Sequence, residues 1–344
     1  MRPLDNVHVR AFSPLVSPRE MDERMPISET ARETVYSARE TIRRILRRED
    51  PRLLVVVGPC SIHDDRGALE YAERLAEAHH RLADRLFIVM RVYLEKPRTT
   101  VGWRGLINDP HMDGSYDMAE GLRRARELLR SVNDLGLPAA TEMLDPFTPQ
   151  FLSGLISLGA IGARTTESQT HRALASGVSM PVGFKNSTDG SVQAAVNSIV
   201  SMRSAHSFLG IDQTGRSAVV KTTGNPDGFV ILRGSRLGTN YDADSVAQAV
   251  TMMTTSDLPQ AVMVDCSHAN SGSDHTRQRV GWDAVLAQRP QQPALIGMMI
   301  ESNLFEGKQP IPADLSQLRY GVSVTDACVG WETTEQMLMD AFTA

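Results

Sequence analysis

The chain has few cysteines, little net charge and no long apolar run, and each shortage excludes a class of protein. Three cysteines among 344 residues are too few and too scattered for a disulfide framework. A formal net charge of −5 argues against general affinity for nucleic acid or anionic membranes. No apolar span suggests a membrane helix, and no signal peptide is apparent. We therefore expect a cytoplasmic protein that binds small anionic molecules and does not bind nucleic acid or membranes.

Eight short apolar runs give the chain its repeating organisation. They occupy residues 53–60, 87–94, 138–144, 160–165, 181–186, 228–234, 261–268 and 295–303. Most are followed by an amphipathic stretch, such as 67–80 or 118–135, with apolar residues at helical spacing. Apolar runs that alternate with helices indicate a parallel sheet, and eight such units can close into a barrel. The predicted fold is an α/β protein of the (β/α)8 TIM-barrel type, whose chemistry lies at the carboxyl ends of the strands.

Two segments lie outside this repeat. Residues 1–50 contain no barrel strand, although 28–48 has the pattern of an amphipathic helix with Ser28 as its N-cap. Between the fifth and sixth barrel strands, 208–211 and 217–222 flank a turn at 212–215, which predicts a β-hairpin. We therefore predict an amino-terminal extension, 1–50, and a catalytic barrel, 51–344, with the hairpin at about 207–223. Oligomerisation or regulation is the expected role of both additions, and surface decoration is the alternative.

Cationic side chains gather at the ends of the apolar runs. They are Arg91, Lys96, Arg98, Arg164, Lys185 and Arg233. A charge at the edge of a core is costly unless it is paired, so one explanation is pairing with local carboxylates such as Glu95, Glu142 and Glu167. The other is that the barrel gathers these cations around one multiply anionic substrate. We favour the second, because the cations spread over five strands and a phosphorylated carboxylic acid matches the guanidinium fork.

A second group of residues carries metal-binding atoms at the first, seventh and eighth strand ends and in the loop that follows: Cys60, His268, Glu301 and Asp326. In a closed barrel the eighth strand neighbours both the first and the seventh. Mixed sulfur, nitrogen and oxygen donors suit one borderline divalent ion, such as Mn, Fe, Co or Zn. Cys266 competes as a ligand, because strand alternation places it on the face of His268, one layer deeper. Cys328 is interpreted as core, and His63 as either a residue that orients a ligand or a turn residue.

Seven motifs connect these residues to a known family. They are Gly58-Pro-Cys-Ser-Ile-His-Asp64, the region from Met90-Arg-Val-Tyr93 to Trp103, Gly105-Leu-Ile-Asn-Asp-Pro110, Gly162-Ala-Arg-Thr-Thr-Glu-Ser168, Pro181-Val-Gly-Phe-Lys-Asn186, Asp265-Cys-Ser-His268 and Thr325-Asp-Ala-Cys328. Together they resemble the type I (class Iα) 3-deoxy-D-arabino-heptulosonate 7-phosphate synthases, over the range from about residue 5 to about residue 340. That family is a metal-dependent (β/α)8 barrel with an amino-terminal extension and an inserted hairpin. It condenses phosphoenolpyruvate with erythrose 4-phosphate, the first step of the shikimate pathway.

The resemblance also implies roles for individual residues. The metal ligands are Cys60, His268, Glu301 and Asp326. Phosphoenolpyruvate is held by Arg91, Lys96, Glu142, Ala163, Arg164, Lys185 and Arg233. Erythrose 4-phosphate is held by Lys96, Pro97, Arg98, Thr99 and Asp326. The catalytic group comprises Lys96, Arg91, Cys60 and His268, with Lys96 as the acid that protonates the developing alkoxide. The departures from the family pattern, Ser235-Arg236 and Leu158, are peripheral.

The extension and the hairpin correspond, in the same resemblance, to a feedback site for an aromatic amino acid. The extension there reaches across a subunit interface, so we expect a homodimer or homotetramer. The matching positions are Asp5, Asn6, Val7, Pro146, Pro149, Gln150, Ser179, Phe208, Gly210 and Val220. Pro146 and Gly210 resemble the tyrosine-sensitive form, and Gly210 leaves room for a phenol hydroxyl. Tyrosine is therefore the expected inhibitor.

Three other functions compete with this one. A sister synthase uses arabinose 5-phosphate, but it carries Lys-Ala-Asn-Arg where this chain has Lys96-Pro-Arg-Thr99. A metal-dependent aldolase on the same fold would not need so many arginines, and fold alone does not separate the two. A binding protein without catalysis would have no need for both the metal ligands and the phosphate cradle.

Overall fold

The computed structural model describes residues 4–344, in which eight parallel strands close into a barrel. In chain order the ten strands of the described residues are β1 (Leu53–Gly58), β2 (Leu86–Arg91), β3 (Ala139–Glu142), β4 (Leu158–Ile161), β5 (Val182–Lys185), β6 (Ser207–Ile211), β7 (Ser217–Lys221), β8 (Gly228–Leu232), β9 (Val262–Asp265) and β10 (Leu295–Glu301). The barrel contains eight of them, and β6 and β7 form a separate sheet. Around the barrel the order is β1, β10, β9, β8, β5, β4, β3, β2, and β1 pairs with both β10 and β2. The predicted (β/α)8 fold is therefore confirmed.

Seven of the ten α-helices of residues 4–344 begin at a residue whose side chain caps the helix, and all ten pack against this barrel. They are α1 (Pro18–Arg24), α2 (Glu29–Leu46), α3 (Asp65–Arg81), α4 (Met118–Asp134), α5 (Thr148–Leu152), α6 (Gln169–Ala175), α7 (Val192–Met202), α8 (Ala243–Thr255), α9 (Gln278–Gln288) and α10 (Trp331–Thr343). Ser28 is the N-cap of α2, as predicted, and its hydroxyl accepts a hydrogen bond from the amide of Ala31. Within residues 4–344, no helix is both long and apolar enough to span a membrane.

Each predicted run overlaps a barrel strand, although β2 and β4 begin before their runs, and every strand stops earlier than its run does. The largest difference is at β4, which ends at Ile161, whereas the run extends to residue 165. Beyond the strand, the amides of Thr165 and Thr166 both donate to the carbonyl of Gly162, so the chain turns. The predicted hairpin is β6 paired antiparallel with β7. Asp212 Oδ1 closes its turn by accepting from the amides of Thr214 and Arg216.

Helix α2 closes the amino-terminal end of the barrel. Along β1, Leu54 and Val56 belong to the interior cluster, whereas their neighbours pack outward against the helices, as strand alternation requires. Ile42 and Ile45 of α2 belong to the same interior cluster and are almost fully buried. The interior of the barrel is therefore covered at this end, and within the described residues it is open only at the carboxyl ends of the strands. The boundary at residue 50 between extension and barrel stays a prediction.

The prediction that Cys266 shares a strand face with His268 and competes as a metal ligand is wrong. It belongs to the outer cluster together with Trp282 of α9, and a Cβ added at Gly281 of that helix would lie 3.5 Å from Cys266 Cβ. The alternation of β9 therefore points Cys266 away from the barrel axis. The error came from extending the alternation to His268, which follows the end of the strand and has a φ of 56°. Cys328 is buried, as predicted for a core residue.

Candidate active site

A cavity of about 290 Å³ lies at the carboxyl ends of the barrel strands. Its lining residues are Lys96, Pro97, Arg98, Thr99, Thr100, Val101, Glu142, Gly162, Ala163, Arg164, Lys185, Arg233, His268 and Asp326. The structure thus brings together every residue predicted to hold erythrose 4-phosphate. It also brings together every residue predicted to hold phosphoenolpyruvate except Arg91. Thr100, Val101 and Gly162 also line the cavity, and the first two continue the segment that begins at Lys96.

The predicted metal ligands meet at the floor of this cavity. Cys60 Sγ lies 3.4 Å from Asp326 Oδ2, and one donor atom each of Cys60, Glu301 and Asp326 lie within 4.8 Å of one another. His268 Nε2 is 3.6 Å from Glu301 Oε1. Cys60, Glu301 and Asp326 therefore form one donor cluster, and His268 approaches it beside Glu301 without lying within 4.8 Å of every other donor. Sulfur and carboxylate donors with a nitrogen nearby fit a borderline divalent ion.

Cys60 reaches this point because the chain turns sharply where β1 ends. Gly58 has a φ of +152°, and a Cβ there would lie 2.8 Å from the carbonyl oxygen of Arg91. Only glycine therefore permits the close approach of β1 to β2 at this level. The turn places the Cys60 thiol 3.0 Å from Lys96 Nζ.

The pKa values of the Cys60 thiol and the Lys96 amine are both raised, so the thiol is neutral and the amine is charged. Burial, and then the charge of Glu301, raise the pKa of Cys60 to about 12, so the metal-free thiol stays protonated at neutral pH. A bound divalent cation deprotonates a coordinating thiol outright. For Lys96, burial opposes the charge, but Cys60, Glu301 and Asp326 outweigh burial and raise the pKa of the amine. Lys96 is therefore an ammonium ion that holds its proton at Nζ.

Arg91 lies beneath the cavity and not on its wall. Its side chain is fully buried, with Nη2 3.1 Å from Glu301 Oε1, and its guanidinium lies 3.8 Å from the centre of the Tyr93 ring. In this arrangement Arg91 holds Glu301 in place and stacks on an aromatic face.

The ion pairs of the other cations differ from those predicted by the pairing explanation. Lys185 Nζ lies 2.7 Å from Asp265 Oδ2, and Lys96 Nζ lies 3.7 Å from Asp326 Oδ2. Glu95, Glu142 and Glu167 are partners of neither. In the part of the chain that the structure describes, the following have no carboxylate oxygen within 4.0 Å: Arg98, Arg164 and Arg233. Burial lowers the pKa of Arg233 and the neighbouring Arg164 contributes to that decrease, as expected for two like charges that face a cavity.

Asp265 is a functional residue that sequence reasoning did not single out. It is fully buried, and its Oδ2 accepts from Lys185 Nζ at 2.7 Å and lies 2.9 Å from His268 Nδ1. Its Oδ1 accepts from the Ser267 amide and hydroxyl. Burial alone would raise the pKa of Asp265, but His268 and Lys185 hold it well below its usual value. The carboxylate therefore fixes one predicted metal ligand and one predicted substrate ligand. Its place at the end of the seventh apolar run was the signal available in the sequence.

His63 lies away from the predicted metal ligands. It lines a small separate cavity with Pro59, Asn303 and Gly321. Burial lowers the pKa of its imidazole. The structure thus favours the turn-residue interpretation of His63.

The residues predicted to bind the effector fall into three places. Phe208 pairs across the hairpin with Val220, and a Cβ added at Gly210 would lie 2.8 Å from Val220 Cγ2. Gln150, close to Pro146 and Pro149 in sequence, accepts from Gln213 in the hairpin turn at 3.3 Å. The carbonyl of Ser179 accepts from Arg43 of α2. The third group is exposed and comprises Asp5, Asn6 and Val7. The close approach of Val220 gives Gly210 a packing reason of its own.

The fold and this site define a class of protein: a (β/α)8 barrel with a cation-lined cavity above a sulfur, nitrogen and oxygen donor cluster. The model of the DAHP synthetase I family matches residues 25–339. The chain is 51% identical over 338 residues to the "Phospho-2-dehydro-3-deoxyheptonate aldolase, Tyr-sensitive" of Escherichia coli, covering 98% of this chain and 95% of that one. It is 50% identical over 335 residues to the Phe-sensitive enzyme of the same organism, covering 97% and 95%. The solved structure of a phospho-2-dehydro-3-deoxyheptonate aldolase from Francisella tularensis has a TM-score of 0.95 at 44% identity, covering 97% of this chain and 98% of the other. The chain belongs to the DAHP synthetase I family.

Proposed function

We propose that this protein condenses phosphoenolpyruvate with D-erythrose 4-phosphate and water to give 3-deoxy-D-arabino-heptulosonate 7-phosphate and phosphate. It is a transferase, and its reaction is the first step of the shikimate pathway to aromatic amino acids. The observation that carries the proposal is the cavity itself, where Arg164, Arg233 and Lys185 face the same space as Lys96 and Arg98. Two phosphorylated substrates supply the negative charge that these side chains match.

One divalent ion, Mn, Fe, Co or Zn, would be held by Cys60, His268, Glu301 and Asp326. Bound there, such an ion supplies Lewis acidity that makes the aldehyde carbon electrophilic. The support is the chemistry of the donor set and the spacing of its atoms at the cavity floor. Asp265 keeps the His268 ring in position from below through its contact at Nδ1, leaving Nε2 directed at the cluster.

The chain's own residues would bind the substrates and move the proton. Arg164, Arg233 and Lys185 hold the phosphate and carboxylate of phosphoenolpyruvate, with Glu142 and the backbone of Ala163 beside them. Lys96, Pro97, Arg98 and Thr99 hold erythrose 4-phosphate, with Arg98 and Thr99 at its phosphate and Asp326 at its other end. Arg91 acts from beneath by fixing Glu301.

In the reaction, C3 of phosphoenolpyruvate attacks the aldehyde carbon, and Lys96 Nζ donates its proton to the oxygen that becomes a hydroxyl. The attack leaves C2 cationic, so water adds there and releases one proton, which balances the proton donated by Lys96. The new hydroxyl at C2 passes its proton to the bridging phosphate oxygen as the C2–O bond breaks, which leaves a ketone and expels phosphate. The arginines stabilise the negative charge of the departing phosphate.

We further propose that tyrosine inhibits the enzyme at the hairpin and that the protein is a homodimer or homotetramer. The support is that two of the relatives are Tyr-sensitive enzymes, together with the pairing of Phe208 with Val220 in the hairpin and the hydrogen bond from the hairpin turn to Gln150. Exposed apolar side chains in the extension, including Leu4, Val7 and Phe12, are suited to contact a second copy. Three buried free thiols fit a reducing compartment, and we propose the cytoplasm.

The test is an assay of phosphoenolpyruvate loss. Protein treated with a chelator is incubated with phosphoenolpyruvate and erythrose 4-phosphate, and single divalent ions are added back with or without each aromatic amino acid. We expect turnover only with an added ion, inhibition by tyrosine, and no turnover with arabinose 5-phosphate. Lys96→Ala should be inactive and Lys221→Ala, at an exposed lysine, should keep full activity without effector. Turnover of the aldehyde without phosphoenolpyruvate would instead indicate an aldolase.

A further inference from the structure

A second cavity, of about 390 Å³, lies at the amino-terminal end of the barrel, opposite the site described above. Its wall contains Ile45 of α2 and the first two residues of β10. It also contains four arginines: Arg48, Arg52, Arg85 and Arg289. The volume falls in the range of roughly 300 to 1,000 Å³ that is typical of small-molecule sites. Neither the proposed reaction nor the proposed feedback site uses this cavity.

Two of the four arginines already have partners. Arg52 forms a bidentate pair with Asp50, with Nε 3.0 Å from Oδ1 and Nη2 2.6 Å from Oδ2. Arg48 Nη2 donates to the carbonyl and the side chain of Gln260. Asp50, the acidic side chain in the wall, is thus held by Arg52, with Arg44 at 3.8 Å.

Of these four arginines, Asp50 neutralises only Arg52, because the contacts of Arg48 with Gln260 involve no charged group. The other two arginines, Arg85 and Arg289, also lack a carboxylate partner in the described residues, and they lie close enough to influence each other. Among residues 4–344, no carboxylate oxygen, that of Ala344 included, lies within 4.0 Å of the guanidinium of Arg85 or Arg289. Arg289 donates instead to the carbonyl of Pro51. Burial, and then the charge of Arg85, lower the pKa of Arg289. Two like charges therefore face one another beside a cavity large enough for a ligand.

We propose that this cavity binds a small phosphate dianion, either inorganic phosphate or a phosphate monoester. Two guanidiniums carry the +2 charge that a phosphate near −2 at neutral pH matches. Each presents a planar fork suited to two oxygens of the same anion. A monocarboxylate neutralises only one of the two guanidiniums, so the phosphate class fits the charge better. The proposal is independent of the reaction at the other end of the barrel.

The experiment is equilibrium dialysis of the full chain with radiolabelled inorganic phosphate, with sites counted per subunit. We expect three sites in the unaltered protein: this cavity and the two phosphate subsites proposed for the active site. The variant Arg85→Gln/Arg289→Gln should lose one of them, and Arg164→Gln/Arg233→Gln, at the proposed phosphoenolpyruvate subsite, should lose another. The variant Arg32→Gln/Arg216→Gln makes the same change in net charge at exposed positions and should keep all three.

Two further variants separate ligand binding from folding. Arg85→Gln alone changes an exposed side chain and should weaken the site by roughly tenfold or more, the scale of one charge-assisted contact. Arg85→Lys/Arg289→Lys keeps the charge but lacks the fork, so it should bind more weakly than the unaltered protein and more tightly than the double glutamine variant. Circular dichroism checks that each is folded. The proposal is overturned if Arg85→Gln and the double glutamine variant bind phosphate with the stoichiometry and affinity of the control. If Arg164→Gln/Arg233→Gln keeps every site while Arg85→Gln/Arg289→Gln loses one, the proposed active site is wrong and the proposal for this cavity still holds.

Discussion

Replacing Asp265 by asparagine tests whether one buried carboxylate organises both halves of the proposed site. Its two oxygens receive contacts from Lys185, His268 and Ser267. Asparagine has the same shape, but its amide offers one acceptor oxygen and one NH2 group. In either orientation of the amide, the NH2 group therefore faces donors, and Lys185 loses the charge that neutralises it.

The structure gives the expected magnitudes. Breaking a buried ion pair by removing one partner costs about 3–5 kcal/mol, so the free energy of unfolding should fall by about that amount. Loss of a group that orients a metal-ligating histidine typically costs about 10–100-fold in metal affinity. Because the pKa of Asp265 is depressed in the folded protein, its stabilisation is present above the ordinary value of 3.8 and is lost as the pH falls through the lower folded value. The difference between variant and unaltered protein should therefore shrink only in strong acid.

The assay has two readouts. Chelated protein is titrated with Mn²⁺ or Zn²⁺ in competition with a chromophoric chelator and without substrates, and urea unfolding is measured in parallel. Asp283→Asn, at an exposed residue of α9, is the matched control and should change stability by no more than about 0.5 kcal/mol. Metal affinity of Asp265→Asn equal to that of this control would refute the orienting role. If Asp265→Asn lowers the free energy of unfolding but leaves the metal affinity unchanged, the role of Asp265 is confined to its ion pair with Lys185.

Three further predictions follow from single sites. Cys60→Ser should retain less metal per subunit after dialysis than the unaltered protein, because the only thiolate ligand is lost; equal retention, measured by elemental analysis, would remove Cys60 from the ligand set. Burial, and then Asp145, raise the pKa of Glu95 to about 7, so its contribution to stability is full below pH 4.5 and is lost as the pH rises to 7. The free energy of unfolding of Glu95→Gln should therefore rise by about 3 kcal/mol relative to that of the unaltered protein between these pH values. If urea unfolding gives the same difference between the two proteins at every pH in that range, the prediction is contradicted. Ile42→Ala should lower the free energy of unfolding by about 2–5 kcal/mol because it empties the interior end of the barrel, whereas Tyr36→Ala, on the exposed face of α2, should change it little; equal effects of the two would show that α2 does not close the barrel.

The barrel was predictable from sequence because its two signals are local. Apolar runs and amphipathic stretches alternate along the chain, and each reports one strand or one helix. The strand ends were less predictable: Thr165 and Thr166 are compatible with a strand, but their amides bond to the carbonyl of Gly162 in a turn. The amphipathic face of 28–48 indicates that α2 packs against something. It does not say that the partner is the barrel interior, since that contact joins Ile42 to strands far along the chain.

The site was predictable as a set of residue types at strand ends but not as a network. Strand ends and family motifs named four candidate metal ligands, and the structure brings three of them, Cys60, Glu301 and Asp326, within 4.8 Å of one another. Asp265 was missed because its role depends on Lys185, 80 residues away in sequence, and no local pattern encodes that distance. Cys266 was placed on the wrong face because the positive φ of His268 ends the alternation, and a dihedral angle of this kind cannot be predicted from periodicity.

The charges of the site divide into two groups with different consequences for stability. Lys96 and Lys185 have carboxylate partners at the floor, so their burial is compensated within the folded chain. Arg164 and Arg233 face the cavity with no such partner in the described residues, and their mutual repulsion contributes to the lowered pKa of Arg233. The free protein therefore carries an unfavourable interaction that an anionic substrate relieves. The absence of carboxylate partners for Arg164 and Arg233 in the described residues therefore favours the proposal that they bind an anion over the explanation that they pair with local carboxylates.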